Sequence, residues 1–237
     1  MLKVLALLFG ALKFGKLLPA AATMLVSIAV YAAIFGWWYA VGFVALLLIH
    51  EMGHYLAARR RGLDVGLPTF IPFVGAWIQL KDLPHDAETE AYVGIAGPLL
   101  GTAGALGCFY LARSTGSVLL LALAYAGFFL NLFNLIPLAP FDGGRVTAAI
   151  SPRLWLIGMP LLVALFFYSS SPLLILMAVL ALPSVLKAWR GIRSPEEQAY
   201  YSVRAETRLS YATLYLGLAA FLAIMCEQLH AELPHTH

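Results

Sequence analysis

Five consecutive residues, His50-Glu51-Met52-Gly53-His54, have the types and the spacing needed to bind a metal ion and activate water. On a helix, positions four residues apart lie above one another on the same face. His50 and His54 can therefore offer two imidazoles to one zinc ion. Glu51 would lie beside that metal, where its carboxylate could accept a proton from water.

The composition places this pattern in a membrane protein. Of 237 residues, 62% are hydrophobic and only 11% are charged, whereas a soluble domain has about 25% charged residues. The motif itself follows an apolar run that reads as a membrane span. Charged side chains there cost roughly 2.5–3.5 kcal/mol each on insertion scales and usually mark a functional site. The sequence therefore predicts a multi-pass integral membrane protein with a metal site inside it.

Hydrophobic runs predict an all-α transmembrane bundle of six to seven spans. The expected spans cover residues 17–35, 40–58, 91–112, 117–135, 154–168, 173–187 and 209–226. We expect residues 1–16 to form an interfacial amphipathic segment, 17–190 the transmembrane core with an insertion at 62–90, and 191–237 a surface helix (191–208), an extra span and a short tail. Within the third span, Gly97 and Gly101 read as ordinary close helix packing.

Nearly all lysines and arginines fall on one side of this arrangement, and Arg113 alone falls on the other. By the positive-inside rule the crowded side is cytoplasmic, so we expect the N-terminus to lie on the cytoplasmic side and the metal site to open toward it. The simplest setting for this arrangement is the cell membrane. The placement of lysine and arginine is thus more informative than the net charge of +3, and it indicates membrane orientation. No pattern points to nucleic acid or to a particular oligomeric state.

A catalytic zinc ion needs a third protein ligand, and Asp142 is the candidate. It is the only carboxylate between Glu90 and Glu196, and it follows the fourth span at the membrane face expected for His54. Pro137 and Pro140 break that span, which would let Asp142 turn back toward the bundle. The alternative is a plain proline-glycine turn capped by the aspartate.

The two motifs together, His50-Glu51-x-x-His54 and Asn134-x-x-Pro137-x-x-x-x-Asp142-Gly143, resemble the site-2 protease family of intramembrane zinc metalloproteases. The resemblance covers about residues 40–150. It implies that His50, His54 and Asp142 bind one Zn²⁺ per chain, that Glu51 is the general base, and that Asn134 holds the substrate or the oxyanion. The chain has room for neither the PDZ nor the CBS domain of many members, so we expect a minimal member.

The insertion at 62–90 is rich in β-forming residues and resembles the β-hairpin that precedes the third span in this family. A helical substrate shields its own peptide bonds, so it must be opened before it is cut. An unwound segment could pair with a strand edge at Gly75–Leu80, where Gly75, Ala76 and Trp77 are the expected substrate-binding positions. The alternative is an interfacial loop that dips its aromatic side chains into lipid.

The expected function is an intramembrane zinc endopeptidase that cleaves transmembrane segments of other proteins in regulated intramembrane proteolysis. Its partners would be a transmembrane protein or peptide substrate and the lipid bilayer. A zinc transporter or sensor without proteolysis is the alternative, although the outer halves of the second and fourth spans offer almost no polar path. A silent scaffold is disfavoured because it has no use for Glu51.

Overall fold

The computed structural model of the chain describes residues 2–73, 75–80 and 84–233, and nearly all of its regular structure is helical. The side chains of residues 2–16 and 77–80 lie outside this description. In chain order the elements are α1 (Leu2–Phe35), α2 (Trp37–Arg60), β1 (Val65–Ile71), β2 (Gly75–Leu80), α3 (Ala87–Thr115), α4 (Val118–Asn134), α5 (Asp142–Ile150), α6 (Trp155–Ser169), α7 (Pro172–Arg190), α8 (Pro195–Tyr200) and α9 (Ala205–Glu232).

Six of the described helical segments are long and apolar enough to cross a membrane. They are Leu17–Phe35, Trp37–Arg60, Ala87–Thr115, Pro152–Ser169, Pro172–Arg190 and Ala205–Glu232. The predicted fourth span corresponds to α4, which is apolar but has only 17 residues. The prediction of an all-α membrane bundle of six to seven spans with a small β-hairpin is therefore confirmed.

The hairpin is an antiparallel pair of strands that packs against α1. Phe70 lies opposite Ala76 and Ile71 lies opposite Gly75. The backbone N–H of Phe70 donates to Thr23 Oγ1 at 3.2 Å, and that of Phe73 donates to Tyr31 Oη at 2.9 Å. Two side chains of α1 thus satisfy backbone groups of the hairpin, which fixes the sheet beside the bundle.

A short helix that the sequence reading missed, α5, follows the proline-containing turn after α4. Its first residue is Asp142. The next two positions leave no room for side chains, since a Cβ at Gly143 would lie 2.2 Å from the carbonyl oxygen of Leu135, and one at Gly144 would lie 2.3 Å from the nitrogen of Ala139. The glycines thus let α5 fold tightly back on the end of α4, which returns Asp142 to the bundle interior.

The chain after α7 differs from the surface helix predicted over residues 191–208. Only Pro195–Tyr200 is helical there, and α9 already begins at Ala205. Arg208 explains the early start of the last span, because its guanidinium donates to the carbonyls of Ile150, Tyr201 and Val203 at 2.8–3.0 Å. These bonds join the segment to α5 and hold the end of the polar stretch against the bundle.

At the other end of the chain, the predicted interfacial segment is continuous with the first span. From Leu2 onward it belongs to the same helix, α1. Met1 and residues 234–237 of the predicted tail lie outside the described residues.

Candidate metal centre

The two histidines lie one turn apart on the buried face of α2. His50 and His54 are 3% and 6% exposed. Their Nε2 atoms are 3.1 Å apart, and the rings meet edge to face at 78°. The i, i+4 spacing therefore directs two ring nitrogens toward one point, as the sequence pattern predicted.

Asp142 brings a third ligand atom to that point from α5. Its Oδ2 lies 3.1 Å from Nε2 of His50 and 3.2 Å from Nε2 of His54. In a tetrahedral zinc site with bonds of about 2.0–2.1 Å, ligand atoms are separated by roughly 3.3 Å. The three side chains form the metal-compatible group found among the described residues, and their spacing fits a zinc ion.

The opposite nitrogen of each histidine fixes its tautomer. His54 Nδ1 lies 2.8 Å from the carbonyl oxygen of Val93, and His50 Nδ1 lies 2.8 Å from Oδ1 of Asn131. Both partners are acceptors, so both Nδ1 atoms carry the proton and donate it. In the neutral rings, both Nε2 lone pairs then face each other and the carboxylate. Three acceptors that face one another are favourable only when a cation lies between them. This arrangement of acceptors is the strongest sign that the three residues fit a metal ion.

The glycines of α3 create the space in which this site is built. A Cβ at Gly97 would lie 2.2 Å from Nε2 of His54, and a Cβ at Gly101 would lie 2.3 Å from Oδ1 of Asn131. Interpreting Gly97 and Gly101 as ordinary helix packing was therefore incomplete. The two positions are small because site side chains occupy the volume that a larger residue would need.

A cavity of about 970 Å³ opens onto the three ligands and also contains Glu51. Glu51 is 6% exposed, on the same helix as the histidines. Arg145 of α5 lines this cavity as well and adds a positive charge near the two carboxylates. The candidate base and the candidate ligands thus line one cavity.

The remaining predicted site residues line the same cavity, with one exception. Gly75 and Ala76 form part of its wall, as does Asn134, whose Nδ2 donates to the carbonyl of Leu130 at 3.0 Å. The structure therefore brings the hairpin strand and the second motif to the metal ligands. The side chain of Trp77 lies outside the described part of the chain, although its backbone pairs with Thr69.

One wall of the cavity is a row of aromatic rings on α4. Tyr125, Phe129 and Phe133 follow at four-residue intervals, with successive ring centroids 6.3 Å apart in stacked arrangements. On the other side, Tyr39 and Phe43 of α2 stack at 6.1 Å. The space leading to the ligands is therefore mainly apolar.

Asn131 is the site residue that the sequence reading missed. It is 1% exposed and contacts His50 directly. A polar amide within the otherwise apolar α4, one turn before Asn134, was the available signal. The family resemblance assigned a role to Asn134, which is part of the second motif, and assigned none to Asn131.

The comparisons with known proteins agree with this geometry. Residues 38–117, from the start of α2 to the end of α3, match peptidase family M50. The chain is 32% identical over 120 residues to a zinc metalloprotease of Methanocaldococcus jannaschii, a match covering 47% of this chain and 34% of that protein.

A second relative, from Mycobacterium tuberculosis, carries the name zinc metalloprotease Rip3. It is 36% identical over 121 residues, covering 46% of this chain and 30% of that protein. The chain thus spans about a third of the length of these relatives.

Proposed function

We propose that this chain is a zinc endopeptidase that cleaves within membranes, as the match of residues 38–117 to peptidase family M50 and the resemblance of its two motifs to the site-2 protease family support. The observation that carries the proposal is the convergence of His50, His54 and Asp142 beside Glu51, within a bundle of span-length helices. A buried group of this kind is costly to maintain in an apolar bundle, and catalysis accounts for it.

In this proposal His50, His54 and Asp142 hold the metal, and Glu51 acts as general base. The chemistry that zinc supplies when bound is the activation of water near pH 7 and the polarisation of a carbonyl. Glu51 takes a proton from the attacking water and delivers it to the leaving amine.

The substrate in this proposal is a transmembrane segment that unwinds before cleavage. The strand β2 lines the cavity through Gly75 and Ala76, so an extended segment can pair with it while its scissile bond reaches Glu51. Pairing satisfies backbone groups that the substrate exposes when its helix opens. Asn134 holds the substrate or the oxyanion from the opposite wall, and Trp77 continues the strand edge.

The orientation and the setting belong to the same proposal. The excess of lysine and arginine on one side of the spans supports a cytoplasmic N-terminus and an active-site opening toward the cytoplasm, in the cell membrane. Cleavage of a membrane segment there would release its cytoplasmic part, which is the basis of regulated intramembrane proteolysis. The apolar walls of the cavity support a substrate that arrives through the lipid bilayer.

The experiment that tests the proposal compares wild type with Glu51→Gln in proteoliposomes. Zinc content is measured by atomic absorption, and cleavage is followed with a panel of single-span reporter helices. We expect zinc in both proteins and cleavage in wild type alone. Zinc in both without any cleavage would contradict proteolysis and favour the transporter or sensor, and absence of zinc from wild type would contradict the metal site itself.

A further inference from the structure

We propose that Asn131 is the positioning residue for His50 and that its amide oxygen controls the affinity of the site for zinc. This inference rests on the proposed metal site, to which it adds a residue outside the motif. Asn131 lies on α4, so the proposal makes α4 responsible for orienting a ligand carried by α2.

The amide of Asn131 is fixed at both of its ends. Its Oδ1 accepts the Nδ1 proton of His50 at 2.8 Å, and its Nδ2 donates to the carbonyl oxygen of Gly127 at 2.7 Å. A flipped amide would place an N–H group against the N–H of His50 and an oxygen against the carbonyl of Gly127. Only one orientation satisfies both partners, and it presents an acceptor to the histidine.

The surrounding helices hold this amide in place. A Cβ at Gly101 would lie 2.3 Å from Oδ1 and 2.8 Å from Nδ2 of Asn131, so α3 closes directly over the side chain. Asn131 is 1% exposed, which leaves water little access to replace either bond. The position is therefore a closed pocket that fits one amide.

The consequence for His50 follows from its two nitrogens. With Asn131 accepting at Nδ1, the proton is kept there and the Nε2 lone pair is left for the metal. Without that acceptor, a buried N–H group would lose its partner, which is unfavourable in a site that excludes water. The ring can relieve this cost by moving its proton to Nε2 or by rotating, and either change removes the lone pair from the metal position.

The two ligand histidines differ in how they are oriented. His54 donates to the backbone carbonyl of Val93, which no side-chain substitution removes. His50 depends on a side chain. This asymmetry means that the orientation of the metal site can be altered at Asn131 without changing any ligand or the candidate base.

Asn134 provides a matched control on the same helix. Its Nδ2 also donates to the carbonyl four residues earlier, that of Leu130, at 3.0 Å. Asn134 lines the cavity, but the hydrogen-bond partner of His50 Nδ1 is Asn131 and not Asn134. Replacement of Asn134 by leucine therefore removes the same type of helix bond and leaves the histidine contact intact.

The test measures zinc affinity of the purified full chain in detergent, by competition with a chelator of known affinity, for wild type and three variants. We expect Asn131→Leu to bind zinc about 10–100-fold more weakly and Asn134→Leu to bind as wild type does. Asn131→Asp should bind more tightly than Asn131→Leu because it keeps the acceptor for His50, although its second oxygen then faces the carbonyl of Gly127. Visible spectra of the cobalt-substituted proteins should show altered ligand geometry in Asn131→Leu alone. Wild-type affinity in Asn131→Leu would overturn the proposal, as would equal losses in Asn131→Leu and Asn131→Asp.

A measurement on wild type covers the case in which Asn131→Leu does not fold. In zinc-loaded protein with ¹⁵N-labelled histidine, we expect the Nδ1 proton of His50 to be hydrogen-bonded and protected from exchange, and an Nδ1 without a proton would overturn the proposal. Affinity is measured independently of proteolysis. A wild type that binds zinc and cleaves nothing would contradict the proposed function. The role of Asn131 would still be tested by comparing the zinc affinities of wild type and the variants.

Discussion

Gly97 of α3 faces the imidazole of His54 so closely that a Cβ at position 97 would lie 2.2 Å from Nε2. The ring nitrogen nearest to this glycine is the one directed at Asp142 and His50. Helix α3 therefore contributes to the metal centre through the absence of a side chain. Its backbone also contributes the carbonyl of Val93, which orients the same histidine.

Replacing Gly97 by alanine should displace His54 and weaken zinc binding. The added methyl group would overlap the ring, and the tight α2–α3 packing leaves the helices little room to separate. Zinc content after dialysis, compared with that of Gly107→Ala, measures the effect. Gly107 lies on the same helix with nothing within 4 Å of an added Cβ, so its variant should keep zinc. Equal zinc content in the two variants would contradict the role given to Gly97.

Asp142→Asn should lose most of its zinc, because a neutral amide oxygen replaces the carboxylate that faces both histidines at 3.1–3.2 Å. Chelation of wild-type zinc should likewise abolish cleavage, and added zinc should restore it. The measurement is zinc per chain together with reporter cleavage before and after reconstitution. Asp142→Asn with the zinc content of wild type would refute the ligand assignment.

Ala76→Pro should reduce cleavage while zinc remains bound. Proline removes a backbone N–H from β2 and restricts the strand, whereas the metal ligands lie on other elements. Ala76→Gly is the control, since it removes only the methyl group and keeps the N–H. Cleavage rates of a reporter helix and zinc content are compared across the three proteins. Unchanged turnover in Ala76→Pro would remove the proposed pairing with substrate.

The three candidate metal ligands could be identified from the sequence, whereas much of what surrounds them could not. His50, His54 and Asp142 stand in motifs whose spacing can be read without a structure, and long apolar runs show the spans. Asn131 and α5 could not be found in the same way. The role of Asn131 depends on a contact between residues 81 positions apart, and α5 has only nine residues next to a proline-containing turn. Tertiary packing determines both, and local patterns do not encode it.

The surface helix predicted over residues 191–208 differs from the structure for a similar reason. A mixed polar stretch at 191–208 has the composition of an amphipathic helix, but Arg208 finds three backbone carbonyls that are brought together only in the folded chain. These bonds, and Ser194 capping α8 through the N–H of Glu197 at 3.1 Å, divide the stretch into separate parts.

Glu197 should make stability depend on pH through its partner on α7. The amine of Lys187 lies 3.0 Å from Glu197 Oε1 and lowers the pKa of this carboxyl below its ordinary value of 4.5. Because the folded pKa is the lower one, the stabilisation is complete above about pH 4.5 and is lost as the pH falls through the folded pKa.

The measurement is the thermal unfolding temperature of wild type and Glu197→Gln between neutral and acidic pH. The two proteins should differ at neutral pH and converge in acid, and high salt should reduce the difference because both side chains of the pair are partly exposed to solvent. A difference that stays constant across the titration would contradict an electrostatic contribution.

The row of Tyr125, Phe129 and Phe133 beside the metal ligands bears on inhibitor chemistry. A cavity of about 970 Å³ is at the upper end of the sizes that hold drug-like compounds. Its lining suits a flat, lipophilic body that stacks on the rings and carries a metal-chelating head group, whereas a hydrophilic peptide hydroxamate would lose its hydration without regaining contacts. Potency against this protein should therefore follow a compound's concentration in the bilayer more closely than its concentration in water.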